Sequence, residues 1–198
     1  MASFFEMPLR LLQGFGINVL ITVFATFFPL VLGVILTVLA GKVRYVGRIA
    51  EWVSLPFECI TPIILIVVMF YFPFLMTDLF DVLGLGGGFV NFLCGIARSP
   101  WFIGILLSFA FVGYMPARYN PSASILKNIL CNGCGLVCTA FQWSFAVGFV
   151  GVLDMLKMAI EEMARLFDAF PFVLVALVAL IVVGALQIAK RLCSQFLK

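Results

Sequence analysis

Residues 118–154 read RYNPSASILKNILCNGCGLVCTAFQWSFAVGFVGVLD, and this stretch decides the fold. It opens with a short polar connection that leads past Lys127 into an apolar run. The run from Ile129 to Leu153 carries no charge and stops at Asp154. Because about 20 apolar residues in a helix span the hydrocarbon core of a bilayer, the run predicts a membrane crossing at 129–153.

The composition of the whole chain is typical of a membrane protein. Of 198 residues, 65% are hydrophobic and 11% are charged, and the mean hydropathy is +1.24. A soluble domain of this size needs more charged surface, so the lipid bilayer is the expected main partner. The chain contains no His, the commonest metal ligand and general base. The net charge is +3 and no basic stripe is interleaved with aromatic residues, so nucleic acid is not an expected partner.

Further apolar runs predict an all-α membrane protein with about five transmembrane helices in a single transmembrane domain, residues 1–198. Charged segments or Pro and Gly residues separate these runs. Between Asp154 and Asp168, polar residues recur every three or four positions, which predicts an amphipathic outer-face helix at 154–168. Within it, Glu161 lies four residues from both Lys157 and Arg165, a spacing that favours ion pairs. The predicted crossings are 15–40, 56–76, 100–116, 129–153 and 170–192.

Five crossings place the two termini on opposite sides of the membrane, and the basic residues indicate which side is which. Positive residues are enriched in cytoplasmic segments. The chain is therefore predicted to lie in the cell inner (plasma) membrane as a multi-pass protein, with its N-terminus outside and its C-terminus in the cytoplasm. The predicted cytoplasmic residues are Lys42, Arg44, Arg48, Arg118, Lys127, Lys190, Arg191 and Lys198, and the predicted outer ones are Arg10, Arg98, Lys157 and Arg165.

Several short motifs follow one another in a fixed order. Leu11-Leu12-Gln13-Gly14 leads into the first crossing, Thr61-Pro62-Ile63-Ile64-Leu65 lies in the second, and Ser99-Pro100-Trp101 begins the third. Val150-Gly151-Val152 then precedes an acidic residue, the amphipathic segment and the last crossing. In this order and spacing, most of the chain resembles a permease subunit of the polar amino-acid uptake family of ABC importers.

The resemblance implies a fold, an activity and a set of partners. The fold is that of the type I importer permease core. The activity is uptake of a small polar solute, an amino acid, by a homo- or heterodimer with a second permease subunit. An ATPase and a solute-binding protein complete the system, and the solute passes along polar groups at the subunit interface. The chain itself is not expected to be an enzyme, because it has no His, no acid pair within the membrane and no phosphate-binding loop.

The chain departs from the family pattern where the ATPase docks. The family has a long cytoplasmic loop between its third and fourth helices, which contains Glu-Ala-Ala and forms the coupling helix. Here the connection 117–128 is too short to hold that helix, and no Glu occurs between Glu58 and Glu161. Cys59 and Ile60 also replace the expected Arg-Gly. A second hypothesis is therefore a degenerate permease-fold protein with a structural or scaffolding role and no ATP-coupled transport.

Polar residues inside the apolar runs are the candidates for a substrate path. Gln142, Ser144 and Thr61 are selected, because polar side chains in lipid usually turn towards a partner or a cavity. The alternative is that each one only forms hydrogen bonds with its own helix or packs against a neighbouring helix. This alternative is favoured for Thr22, Thr26 and Ser108.

Cysteines open the apolar run of residues 129–153. Cys131 and Cys134 have the two-residue separation of metal and redox sites, and Cys138 continues the same helical face. Zinc or an iron–sulfur cluster is one hypothesis for these three thiols. The other is packing of small side chains between helices, because a second Cys-x-x-Cys is missing. The second is favoured, and no cofactor is expected.

Overall fold

A computed structural model describes residues 2–42, 45, 52, 64, 67–68, 71, 77, 82–84, 88, 91–92, 95–96, 99–112, 114, 118, 120, 122–150, 154–166 and 169–196. These residues form helices and turns and contain no strand, which confirms the predicted all-helical architecture. The helices with described bounds are α1 (Ala2–Lys42), α2 (Pro100–Phe111), α3 (Ile125–Ser144), α4 (Met155–Leu166) and α5 (Phe170–Phe196). A 3₁₀ segment, Phe145–Val150, continues directly from α3.

Three of these helices are long and apolar enough to cross a membrane. The spans are Glu6–Leu39 in α1, Ile125–Gly148 in α3 and its 3₁₀ extension, and Phe170–Gln195 in α5. They occupy the chain positions of the first, fourth and fifth predicted crossings. Many of the large apolar side chains on these helices are exposed at the surface of the chain, as expected for a protein in lipid. The predicted crossing at 56–76 lies almost entirely outside the described residues.

The helix at the predicted third crossing, 100–116, is shorter than expected. α2 begins with Pro100 in its first turn and ends at Phe111, and Val112 and Tyr114 form turns. Gly113 and Pro116 explain the early end, because Gly weakens a helix and Pro disfavours the helical conformation of the residue before it. Twelve residues extend about 18 Å, less than the hydrocarbon thickness of about 30 Å.

Two apolar clusters hold the helices together. The first joins the middle of α1 to α2 and α3, and α2 approaches α1 closely because Gly104 has no side chain. A Cβ atom at Gly104 would lie 2.9 Å from the main-chain oxygen of Ile21. The second cluster joins the start of α1 to α4 and the start of α5. The first contains Ile21, Ala25, Ile103, Leu107, Phe111, Leu136, Ala140 and Val147, and the second Met7, Leu11, Met155, Ala159 and Val175.

The contacts between helices sort the described charges into two ends of the bundle. α1 and α3 run antiparallel, because Asn18 contacts Ser144 while Leu30 lies against Gly133. The start of α1 therefore lies beside α4, and the end of α1 lies beside the start of α3. All described acidic residues fall at the α4 end. That end carries Glu6, Arg10, Asp154, Lys157, Glu161, Glu162 and Arg165, and the other carries Lys42, Arg118, Lys127, Lys190 and Arg191.

The amphipathic helix α4 matches the predicted segment 154–168, but two acidic residues of that segment are buried. The expected ion pair between Lys157 and Glu161 forms, with 3.6 Å between Nζ and Oε1. Arg165, however, pairs with Glu162 at 2.7 Å, and Glu162 is buried and also lies 3.3 Å from Arg10 of α1. Asp154 is buried as well, so its placement on the exposed polar face was wrong. Asp154 immediately precedes α4, and its carboxylate bonds to the main chain of the first turn of the helix.

Candidate functional site

A buried side-chain hydrogen bond joins two of the membrane-spanning helices. The amide Nδ2 of Asn18 in α1 donates to Oγ of Ser144 at the end of α3, with 3.1 Å between them. Oγ of Ser144 in turn donates to the main-chain oxygen of Phe141 at 2.7 Å. Both side chains are completely buried. Because an unpaired polar group in this environment costs free energy, the pair fixes the position of α3 against α1.

The same Asn18 amide also anchors the start of α4. Its Oδ1 accepts a hydrogen bond from the main-chain N–H of Met155, with a donor–acceptor distance of 3.0 Å. Gly14, one turn earlier in α1, makes this approach feasible. A Cβ atom at Gly14 would lie 2.6 Å from Cα of Met155, closer than real contacts allow. One amide therefore connects α1, α3 and α4.

Asp154 completes this buried group at the junction of the 3₁₀ segment and α4. Its Oδ1 accepts from the main-chain N–H of Lys157 at 2.8 Å, and its main-chain oxygen accepts from Met158, so it is the N-cap of α4. The residue is 0% exposed, and Oδ2 has no hydrogen-bond partner among the described residues. Gly148 lies directly against the carboxylate, with no room for a side chain.

Burial sets the acid–base behaviour of this carboxyl group, which lies between two of the membrane-spanning segments. It raises the pKa of Asp154 from 3.8 to about 6, because the charged form loses its hydration. Hydrogen bonds oppose the shift, first that from the N–H of Lys157 and then that from the side chain of Asn18. We call Asn18, Ser144 and Asp154 the polar seam. Its chemistry is that of hydrogen bonding and of one carboxyl group able to gain or lose a proton near neutral pH.

The predicted path residues do not come together. Gln142 is exposed on the outer surface of α3, whereas Ser144 is buried in the polar seam. Two residues along a helix correspond to about 200° of rotation, so their side chains lie on nearly opposite faces. Thr61 lies outside the described residues. The seam member Asn18 is visible in the sequence as an amide within an apolar run, but Asp154 looks like an ordinary surface acid there.

The hydroxyl groups of Thr22, Thr26 and Ser108 form hydrogen bonds with their own helices, which was the alternative to a substrate path. Oγ1 of Thr22 donates to the main-chain oxygen of Asn18 at 2.7 Å, and Oγ1 of Thr26 donates to that of Thr22 at 2.8 Å. The hydroxyl of Ser108 donates to the main-chain oxygen of Ile105 in α2. These hydroxyl groups donate their hydrogen bonds to the main chain of their own helices.

The cysteines at the start of α3 face α5. Cys138 is buried, and its Sγ accepts a hydrogen bond from Nε2 of Gln187 at 3.2 Å. The thiol of Cys134 instead lies near that of Cys193, and Cys131 is close by. The described part of the chain contains no group of three or more His, Cys, Asp or Glu residues arranged to hold a metal ion.

Comparison with known proteins adds no relative to this description. The chain matches no family profile, no curated protein and no solved structure.

Proposed function

We propose that the chain is a membrane-spanning, permease-like subunit for uptake of a small polar solute, an amino acid. It works with a second permease subunit, an ATPase and a solute-binding protein in the cell inner membrane. The observation that carries the proposal is the position of Gln142. Its amide is exposed on the outer face of an apolar helix that is long enough to cross a membrane.

Lipid is a poor environment for this amide. The hydrocarbon region offers no hydrogen-bond partner, so polar side chains at that depth turn towards protein or a water-filled cavity. The described residues of the chain do not cover Gln142. A second subunit on this face, with polar groups along the shared boundary, supplies the missing partner and a path for a polar solute.

The polar seam gives such a subunit a rigid interior. Asn18 ties α1 to α3 and α4, and the hydrogen bonds of Ser144 are directed inside the chain. Movement in a transport cycle is then expected between subunits and not within this helix group. The path accordingly follows the Gln142 face, with Ser144 as a positioning residue behind it.

The distribution of charge supports the proposed orientation. The bundle end that contains Lys190 and Arg191 carries no acid among the described residues, whereas the α4 end contains the four described acids. With basic residues enriched on the cytoplasmic side, the end of α5 faces the cytoplasm and α4 lies on the outer face.

One observation favours a scaffold function as the second candidate. The described residues between α2 and α3 are held tightly against the start of α3. Asn128 accepts from the N–H of Asn120 at 3.0 Å and donates to its main-chain oxygen at 2.8 Å, and Asn132 donates to the main-chain oxygen of Arg118. This connection leaves little chain for an ATPase-docking helix. A degenerate permease-fold protein without ATP coupling has no need of one.

Site-specific photocrosslinking tests the partner face. A photoreactive amino acid replaces Gln142 in α3, and a matched control replaces Leu180, which is 71% exposed on α5. We expect position 142 to yield a crosslink to a second copy or another permease subunit, and position 180 to yield none. Identical crosslinking to lipid alone at both positions contradicts the proposed interface.

Uptake measurements separate the two candidate functions. Cells with and without the chain are supplied with labelled amino acids, and the variants Gln142→Leu and Leu180→Ala are compared. Transport predicts that deletion and Gln142→Leu lower the uptake of at least one amino acid, while Leu180→Ala leaves it unchanged. An unchanged rate for every amino acid after deletion favours the scaffold.

A further inference from the structure

Two contacts define how α3 and α5 lie against each other. Sγ of Cys138 accepts from Nε2 of Gln187, and Nζ of Lys190 lies 3.4 Å from the position that a Cβ atom on Gly135 would take. A step of three residues towards the start of α3 thus corresponds to a step of three residues towards the end of α5. The two helices are antiparallel, and these two contacts fix their register.

The register brings Cys193 of α5 near the face of α3 that carries Cys131 and Cys134. Cys193 lies three residues beyond Lys190, about one turn further along α5 on the same side of the helix. On α3, Cys131 and Cys134 continue the face of Cys138 towards the start of the helix. The interaction between the thiols of Cys134 and Cys193 agrees with this placement. All three are partly exposed, so a small reagent can reach them.

We propose that Cys134 and Cys193 form a reversible disulfide that joins α3 to α5 when the chain meets a peroxide. The sulfur of one cysteine attacks the O–O bond of the peroxide, which forms a sulfenic acid and, for hydrogen peroxide, releases water. The sulfur of the other then displaces the hydroxyl group, so that the S–S bond forms and a second water leaves. The two thiols supply the two electrons that reduce the peroxide, and an added dithiol reverses the step.

This modification is independent of the transport proposal. It rests on the register of α3 and α5 and on their thiols, whatever the chain carries. A disulfide here fixes the end of α5, a helix that buries little of its surface against the chain, to the first half of α3.

Cleavage at methionine gives a direct test on the intact chain. Cyanogen bromide separates residues 116–155, which contain Cys131, Cys134 and Cys138, from residues 164–198, which contain only Cys193. Protein in membranes is treated with hydrogen peroxide, blocked with a maleimide, cleaved and run on a non-reducing gel. We expect a joined fragment that dithiothreitol separates, and a loss of two of the six maleimide-reactive thiols before cleavage. If wild-type protein yields no joined fragment, the proposal is wrong.

Serine variants identify the pair. Cys134→Ser and Cys193→Ser are expected to abolish the joined fragment, and the matched control Cys131→Ser is expected to retain it. A joined fragment that persists in Cys134→Ser overturns the assignment. Tandem mass spectrometry of the linked peptides from wild-type protein gives the same answer without any variant, and a link from Cys193 to another cysteine also overturns it.

Discussion

At the scale of single residues, Asn18 has the most consequences for the fold. Its amide donates to Ser144 and accepts from the N–H of Met155, so its removal leaves a buried main-chain donor without a partner. We expect Asn18→Leu to lower the free energy of unfolding by about 2 kcal/mol. The measurement is denaturation of the purified protein in detergent.

Ser108→Ala is the matched control for Asn18→Leu. Ser108 is buried too, but among the described residues its hydroxyl bonds to the main chain of its own helix and not to another helix. Its loss is expected to change the stability by less than about 0.5 kcal/mol. Equal losses for the two variants would show that the polar seam does not join the helices as described.

The carboxyl group of Asp154 makes a pH-dependent contribution to stability. Its pKa is about 6 in the folded chain and near 3.8 when unfolded, so the folded state binds the proton more tightly. The stabilising effect of protonation is complete below about pH 4 and is lost as the pH rises through about 6. No charged side chain pairs with the carboxylate among the described residues; it faces the Asn18 amide, Gly148 and the N–H of Lys157.

We therefore expect the melting temperature of the wild-type chain to fall as the pH rises from about 5 to about 7. Asp154→Asn keeps an oxygen for the N–H of Lys157 and has no proton to lose, so its melting temperature is expected to vary less over this range. Glu161→Gln, at an exposed position, is the control that retains the wild-type fall. If the melting temperature of Asp154→Asn falls as much as that of the wild-type chain, the pH dependence belongs to another group.

At the scale of helices, the contact of α2 with α1 depends on one small residue. A Cβ atom at Gly104 would meet Cβ of Phe24 at 2.5 Å and the main-chain oxygen of Ile21 at 2.9 Å. Small residues permit such close approach between apolar helices. We expect Gly104→Ala to lower the free energy of unfolding by about 1–3 kcal/mol, because α2 must move away from α1.

Gly16 in α1 provides the opposite case for the same substitution. A Cβ atom there meets nothing within 4 Å. Because Ala favours a helix over Gly, Gly16→Ala is expected to be neutral or to stabilise the chain by up to about 1 kcal/mol. Both variants are measured in one denaturation series. A loss of stability in Gly16→Ala as large as in Gly104→Ala would argue against the close contact.

The helices themselves were largely predictable, because length and apolar character are local properties of the sequence. α5 begins at the predicted residue 170, and α3 begins a few residues before 129 because Ser124 caps it, with its Oγ accepting from Lys127. Contacts between distant residues were not predictable. Asp154 is buried because Gly14 brings α1 against the start of α4.

The contact between the cysteines of α3 and the residues of α5 shows the same difference between what is local in the sequence and what depends on distant residues. Three-residue spacing on one helix indicates the shared face of Cys131, Cys134 and Cys138. Their partners on α5, Gln187 and Cys193, are set by the register of two helices that are far apart in the sequence. Likewise, helical rotation alone places Gln142 and Ser144 on different faces, but it does not say which of them faces the interior.

At the scale of the whole molecule, helix contacts and charge together constrain the orientation. Arg10 of α1 pairs with Glu162 of α4, whereas Lys190 near the end of α5 lies against Gly135 in the middle of α3, and the antiparallel α5 continues from there towards the start of α3. The start of α1 and the end of α5 therefore occupy opposite ends of the bundle. Three or five crossings both agree with this arrangement, because both numbers are odd.

The orientation proposed from the charges is testable with reporters fused to the C-terminus. A fluorescent protein that matures only in the cytoplasm is expected to fluoresce there, and a phosphatase active only outside is expected to remain inactive, because the basic end of the bundle stays with the cytoplasmic surface. Exchanging Lys190 and Arg191 for Glu weakens this bias, and we expect a smaller fluorescent fraction. The control exchanges Lys157 and Arg165, at the acidic end, for Gln and is expected to keep full fluorescence. An active phosphatase on the wild-type chain would reverse the orientation, and with it the assignment of α4 to the outer face.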